Sequence, residues 1–279
     1  MIELAHPSGS ITKNWYHIIL LLGVGLMLFP FVWMFLTALK PESEILTVPP
    51  TFLPRTLTLE NFTNIAKRIP VFRYFMNSVL VAVVSTVAVL ITSAFAGAVF
   101  AKYNFPFKDA LFMIILGTTM VPFECYMIPF YLMVSKAGLI DSYTGIMLPL
   151  VITSFGIFLM RQHIATIPDD LMDAARIDGC SELGVFTSVI LPLSKSALSA
   201  LAIFQFMFGW AFFVWPLIVT NSSELFVLEV GLAMFQNQYA VEYGSVMAGA
   251  SISVLPLIVV FLIFRDNIVS GMALSGMKS

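Results

Sequence analysis

Between residues 161 and 196 the chain reads RQHIATIPDDLMDAARIDGCSELGVFTSVILPLSKS, a polar, helix-patterned insert between long apolar runs. Its residue types suit molecular contact rather than covalent chemistry. The stretch 169–178 carries four acids, Asp169, Asp170, Asp173 and Asp178, one base, Arg176, and a smooth patch at Ala174 and Ala175. A helix that lies on lipid headgroups usually has Lys or Arg on its polar face and bulky apolar groups opposite. The reverse balance here suits close docking of another protein. Asp173 and Arg176 stand three apart, a spacing that brings side chains together on a helix face. A second candidate is Glu124, the one acid well inside an apolar segment, where a carboxylate is costly and marks function by default. It lies between Pro122 and Pro129, so a break in the helix with access to water is expected there. Two readings stand. The carboxylate either lines a pathway, or has a structural role, capping N–H groups freed at the break or packing against a neighbouring subunit; the residues favour the second.

Other chemistries find no support. No G-x-x-x-x-G-K-[ST] loop is present to cradle phosphates, nor is HExxH or GxSxG. His6, His17 and His163 are far apart and make no metal-ligand spacing, and two cysteines, Cys125 and Cys180, make no disulfide framework. The chain is therefore read as neither an enzyme nor a holder of a cofactor. A net charge of −2 without a basic tract gives no nucleic-acid signal.

The elements that must hold the insert can be read locally. Pro168 with Asp169 and Asp170 opens a helix, since carboxylates favour the positive end of the helix dipole. Gly179 ends it, because glycine enters the left-handed conformation without strain. Ser181 and Glu182 open a second helix, which Pro192 kinks or ends. Around this insert the composition is that of a membrane protein: 59% hydrophobic and 11% charged, against about a quarter charged in soluble domains. Six runs approach or exceed the ~20 residues that cross a bilayer: 18–39, 79–101, 110–134, 144–160, 197–219 and 246–264. They are continuously apolar, so an all-α membrane protein with six transmembrane helices is expected. Residues 1–14 read as a polar tail, 15–266 as the membrane domain and 267–279 as a second tail. In that tail Gly271 and Gly276 are expected to break any long helix. Thr58, Glu60 and Asn61 suggest a short helix in the first outer loop, and 221–245 reads as an outer loop, polar enough to leave the membrane yet retaining Leu, Phe and Met. Gly97, Gly117 and Gly156 allow close helix packing. The aromatic run Phe204, Phe206, Phe208, Trp210, Phe212 and Phe213 suits packing, with sugar stacking as the sharper alternative.

The residues DAARIDGCSELGVFTSVILPLSK resemble the EAA loop of ABC importer permeases, whose pattern is EAA, three residues, G, and a hydrophobic stretch closing on LP. SAFAGAVFAKYNFPFKD at 93–109, TMVPFECYMIPFY at 119–131, GLIDSYTGIMLP at 138–149, WPLIV at 215–219 and IVSGMALSGMK at 268–278 resemble the same group. The chain is thus similar, over nearly its whole length from Tyr16, to the carbohydrate-uptake importers. Within them it resembles the smaller six-helix partner of the maltose-transporter type. This resemblance implies a permease subunit for a sugar or oligosaccharide in a bacterial or archaeal cytoplasmic membrane, with both termini cytoplasmic. It implies four kinds of partner: a second, non-identical permease, two ATP-binding subunits that hold ATP and Mg, an extracytoplasmic sugar-binding protein, and lipid. Asp173, Ala174, Ala175, Arg176, Asp178 and Gly179 would form the cytoplasmic coupling loop that meets the ATPase. Gly271, Ser275 and Gly276 would make a second contact. In the maltose type the sugar sits mainly on the larger permease, so Glu124 need not touch it. The sequence departs from the pattern where Asp173 replaces the leading Glu, Cys180 an Ala, Ser196 a Pro, and Ala211 an Asn. An ion-driven secondary transporter is the alternative from another class, suggested by Glu124 and the prolines.

Overall fold

The structure, a computed structural model, describes residues 10–239 and 242–276, with side chains described for 15–239 and 242–264. Among these residues the regular structure is helical and no strand occurs. In chain order the helices are α1 (Ser10–Ala38), α2 (Glu42–Ile45), α3 (Glu60–Arg68), α4 (Val71–Lys102) and α5 (Lys108–Thr118). They continue with α6 (Phe123–Lys136), α7 (Tyr143–Met147), α8 (Ser154–Ala165), α9 (Asp169–Ile177) and α10 (Glu182–Val185). The last are α11 (Leu191–Leu193), α12 (Lys195–Trp210), α13 (Val214–Val219), α14 (Leu228–Gln238) and α15 (Tyr243–Gly276).

Three helical stretches, Trp15–Ala38, Val71–Lys102 and Tyr243–Phe264, are long and apolar enough to cross a membrane. The count reaches six when three bent pairs are each taken as one crossing. These pairs correct the expectation of continuous spans. The third run is not one helix over 110–134: α5 and α6 meet at 97°, and the break falls at Pro122, which has no N–H for the ladder and displaces the residue before it from helical geometry. The fourth run bends by 46° between 143–150 and α8, and α8 restarts where the Thr153 hydroxyl accepts the N–H of Gly156 at 3.0 Å. The fifth run stops at Trp210 and resumes as α13.

The chain divides into two compact units, residues 1–69 with 235–252 and residues 70–234 with 253–279. In the first, the buried Asn61 amide donates to the carbonyls of Ala38 and Lys40 at 2.8 and 2.7 Å, satisfying the open end of α1. The Glu44 carboxylate accepts the N–H of Arg55 at 2.9 Å and the hydroxyl of Thr51 at 2.8 Å, which folds the proline-rich loop back on itself. The expected helix of this loop is α3, with the Thr58 hydroxyl accepting the N–H of Glu60 at 3.1 Å. Glu42 accepts the N–H groups of Tyr243 and Gly244, both at 3.0 Å, and so caps α15 from a distant part of the chain.

In the second unit, one core joins Val89, Ala94 and Ala98 of α4 to Met160 and Ile164 of α8 and Leu201 of α12. Gly97 makes the α4–α8 crossing possible: a Cβ there would stand 2.6 Å from Met160 Cβ and 2.9 Å from the backbone nitrogen of Arg161. A second core gathers Val81, Val134, Ile146, Leu150, Trp215 and Val219. Trp215 donates its indole N–H to the Gly145 carbonyl at 2.9 Å, satisfying a polar group that burial would otherwise strand. Asn77, also buried, donates to the carbonyls of Glu224 and Phe226 at 2.8 and 2.9 Å and accepts from the Tyr143 hydroxyl at 2.7 Å.

Two further expectations are corrected. Residues 221–245 are not simply a polar loop, since they contain α14, with Leu228 and Val230 fully buried. Gly271 does not break the last helix, which continues to Gly276. A glycine costs roughly 1 kcal/mol against alanine in a helix interior but leaves the backbone free to be helical.

Candidate functional site

Helix α9 forms as its sequence dictates. Pro168 stands at its N-cap, and Asp169 and Asp170 occupy its first turn. At its other end Cys180 N–H bonds to Ala175 O and Gly179 N–H to Arg176 O, both at 3.0 Å. This pair of bonds is a Schellman motif, which requires a left-handed residue just past the helix. Gly179 supplies it, with φ of +86° and nothing within 4 Å of where its Cβ would lie. Ser181 then caps α10, its hydroxyl accepting the N–H of Gly184 at 3.2 Å. Ahead of Pro192 the ladder widens into a π-turn over Phe186–Ile190, which accommodates the missing N–H and the ring of the proline. The chain then turns by 76° into α12.

One face of α9 is anchored and the other is open. Met172 is buried and joins the core shared by α4, α8 and α12, with Ala175 packed against it. Asp173, Ala174, Asp178 and Gly179 are exposed, and Ile177 is 86% exposed. Asp173 and Arg176 do pair, at 2.7 Å. The guanidinium also grips Glu182 across the Gly179 turn with two parallel bonds, Nε to Oε1 at 2.8 Å and Nη2 to Oε2 at 3.0 Å. Glu182 further accepts the Tyr103 hydroxyl. Nearby, the Lys102 ammonium, its side chain only 5% exposed, reaches Asp169 at 2.7 Å and the Ile167 carbonyl. The end of α4 is thus tied to α9 through Asp169 and to the start of α10 through Glu182. Lys102, Tyr103 and Glu182 have no signal in spacing, apart from Glu182 as a helix opener.

The electrostatics follow from this clamp. The bonds from Arg176 and then from Tyr103 hold the Glu182 carboxyl at about 2, well below its ordinary 4.5, and Arg176 is pushed up by the same contacts. Lys102 lowers Asp169 in the same way. A carboxyl lowered in the folded state contributes stability that is complete above its unfolded value and is lost as pH falls toward the folded one. The Arg176–Glu182 clamp should therefore hold at neutral pH and loosen between about 4.5 and about 2. A nitroxide on Cys180, in a Cys125→Ser background, should gain mobility over that window. Glu182→Gln should raise mobility at pH 7 and flatten the profile. An unchanged, pH-independent spectrum in both proteins would mean that the clamp does not hold the turn.

Glu124 lies in the first turn of α6, at the α5–α6 break, and lines an open cleft of about 930 Å³. The cleft also presents the hydroxyls of Thr118, Thr119, Thr153 and Ser154, with Thr118 and Ser154 bonded at 2.7 Å. Tyr126, Phe155, Phe208 and Phe212 give it aromatic walls. Among the described residues no hydrogen bond or ion pair reaches the Glu124 carboxylate, and the N-cap of α6 is Pro122. The structure thus brings Asp173, Ala174, Arg176, Asp178 and Gly179 together on one exposed surface, turns Ala175 toward the core, and sets Glu124 in a separate cleft. Gly271, Ser275 and Gly276 lie on the α15 backbone, with side chains outside the described residues.

Known proteins resemble this chain along most of its length. The family model for the binding-protein-dependent transport system inner membrane component matches residues 88–274. The arabinooligosaccharides transport system permease protein AraQ of Bacillus subtilis is 36% identical over 91% of this chain and 91% of its own length. The lactose transport system permease protein LacG of Rhizobium radiobacter is 33% identical over 91% of this chain and 92% of its own. The fold is shared with a chain of a bacterial ABC transporter involved in the import of the acidic polysaccharide alginate. That match has a TM-score of 0.82 at 21% identity and covers 95% of this chain and 99% of that one.

Proposed function

This chain belongs to the family of binding-protein-dependent transport system inner membrane components, and from that premise we propose that α9 is the surface through which an ATP-hydrolysing partner drives it. It is a multi-pass membrane permease, and family membership sets aside the ion-driven reading. The single observation that carries the coupling assignment is the two-sided character of α9. Met172 keys it into the core of three helices, while Asp173, Ala174, Arg176 and Asp178 face outward around a glycine-defined turn. A partner pushing on that face moves α4, α8 and α12 with it, because a close-packed interior transmits displacement rather than absorbing it. The bonds from Lys102 to Asp169 and from Tyr103 to Glu182 add polar ties from the end of α4 to both sides of this turn.

In this reading the chain is one of two non-identical permeases. Two ATP-binding subunits dock inside, with α9 as this chain's contact to them, and a sugar-loaded binding protein docks outside. Both termini face the cytoplasm, and the end of α15 makes a second ATPase contact around Gly271, Ser275 and Gly276. The names of the relatives support a sugar or oligosaccharide as substrate. ATP and Mg belong to the partner subunits.

The test is a cross-link. Ala174→Cys in the assembled complex should form an adduct with a cysteine-scanned ATPase surface, at a yield that changes between nucleotide-free and ATP-bound states. Ser275→Cys should report the second contact. If Ala174→Cys gave no adduct in either state while the complex still transported, α9 would not be the coupling element.

A further inference from the structure

The Glu124 cleft continues into a second hollow of about 350 Å³, which shares Thr153, Phe155 and Phe208 with it and adds Phe204 and Gln205. The two together form one track with a consistent chemistry. Phe204 and Phe208 stand one turn apart on α12 and are each 57% exposed, and Phe212, just past the end of that helix, is half-buried against the second core. Phe155 meets Phe204 edge-on at 6.1 Å, and Phe208 lies beside Phe212 at 5.6 Å. The Phe204 and Phe208 rings are not used up by packing within this chain. Opposite them stand hydroxyl groups and one carboxylate, and among the described lining residues no Lys, Arg or His occurs.

Irregular backbone at membrane depth is tolerated only where it is buried in protein or lines a cavity, and here it lines one. A carboxylate with no partner among the described residues is equally out of place in a purely structural seam. A ligand that satisfies every feature has apolar C–H faces to lie on aromatic rings and hydroxyls to donate to a carboxylate. A saccharide has both. We propose that this chain itself holds a saccharide station along its cleft, in which Phe208 and Phe212 stack on the sugar faces and Glu124 accepts sugar hydroxyls. The unbalanced negative charge makes the station selective for neutral sugars, since an anionic sugar would face uncompensated repulsion. The cleft volume fits one to a few sugar rings, within the range of small-molecule sites. This inference rests on the permease reading, and it departs from the expectation that sugar contacts belong to the other permease.

The experiment uses the complete importer in proteoliposomes, carrying Thr119→Cys in a background of Cys125→Ser and Cys180→Ser. Thr119 lines the cleft and is exposed. The probes are arabinotriose and lactose, the reporters a cationic and an anionic methanethiosulfonate. The cationic reagent should react faster by about an order of magnitude, a charge preference that close Coulomb attraction produces. The transported sugar should protect the thiol several-fold in the state trapped with ATP and vanadate. Glu124→Gln should abolish the reagent preference and weaken protection about tenfold, and Phe208→Ala should weaken protection while keeping the preference.

A thiol that is unreactive in the assembled complex without sugar would place the partner permease in the cleft and overturn the station. Equal labelling with and without both sugars would overturn it as well. The Ala174→Cys adduct does not involve the cleft. An adduct without protection here would sink the station and leave the coupling reading standing. Protection without the adduct would sink the coupling reading and leave the station.

Discussion

Gly179→Val should uncouple ATP hydrolysis from uptake while the complex still assembles. The effect is local and its cause is conformational. Gly179 holds φ at +86° with open space on the Cβ side, so a new side chain meets nothing and only the backbone resists. A β-branched residue in left-handed geometry costs roughly 1–2 kcal/mol, and that much shifts a local equilibrium by about 5–30-fold. The turn would leave its present course, the two Schellman bonds would open, and the Arg176–Glu182 clamp that straddles the turn would lose its geometry. Uptake per ATP hydrolysed should fall by about tenfold. Gly179→Asn, which tolerates positive φ, should keep most of the coupling, and Gly179→Ala should fall between. Those three values, measured in proteoliposomes as sugar transported against phosphate released, separate conformation from volume. A Gly179→Val complex with wild-type coupling would show that the turn is not needed in its present form.

Gly97→Val should have the largest effect on folding. Here space decides and backbone geometry does not, because a Cβ at Gly97 would meet Met160 Cβ at 2.6 Å and the Arg161 nitrogen at 2.9 Å. The second obstacle is main chain and cannot turn aside. Helices α4 and α8 would have to separate, opening the core of Val89, Ala98, Met160 and Ile164 that also seats Met172 of α9. Overpacking of a tight core costs about 1–3 kcal/mol and occasionally more, and this site belongs at the upper end. Gly97→Val should lower the yield of monodisperse, detergent-extracted complex severalfold and reduce its melting temperature. Gly117→Val is the matched control, since nothing lies within 4 Å of its Cβ position in α5. Equal behaviour of the two variants would contradict the close α4–α8 crossing.

The same residues show why some features were legible in the chain and others were not. Helix starts and stops are local: Pro168 with two acids, Gly179 in its Schellman turn, and Ser181 as a cap each act within about five residues. Their chemistry can be read in order. The Asp173–Arg176 pair was legible for the same reason, since both side chains ride on one helix. The apolar runs and the EAA-like loop announced a membrane permease, because hydrocarbon demands continuous apolar helices whatever their packing. Pro122 announced a break.

The 97° angle at that break, and with it a cleft around Glu124, depends on how α6 packs through Phe130 and Val134 against Trp215 and Ile146. No window of sequence contains those contacts. The clamp of Lys102 on Asp169 spans 67 positions, and the bonds of Asn77 to the carbonyls of Glu224 and Phe226 span 147 and 149. Such pairs cost no more than others once the chain is folded, yet nothing local prefers them. The helix through Gly271 makes the same point in reverse, since local propensity disfavours glycine there by roughly 1 kcal/mol without excluding it. Sequence alone determined the class, the insert and its turn, because these rest on backbone stereochemistry and solvent. Tertiary structure decided which charges meet, which helices bend and where the cleft opens, because those depend on partners brought together only by packing.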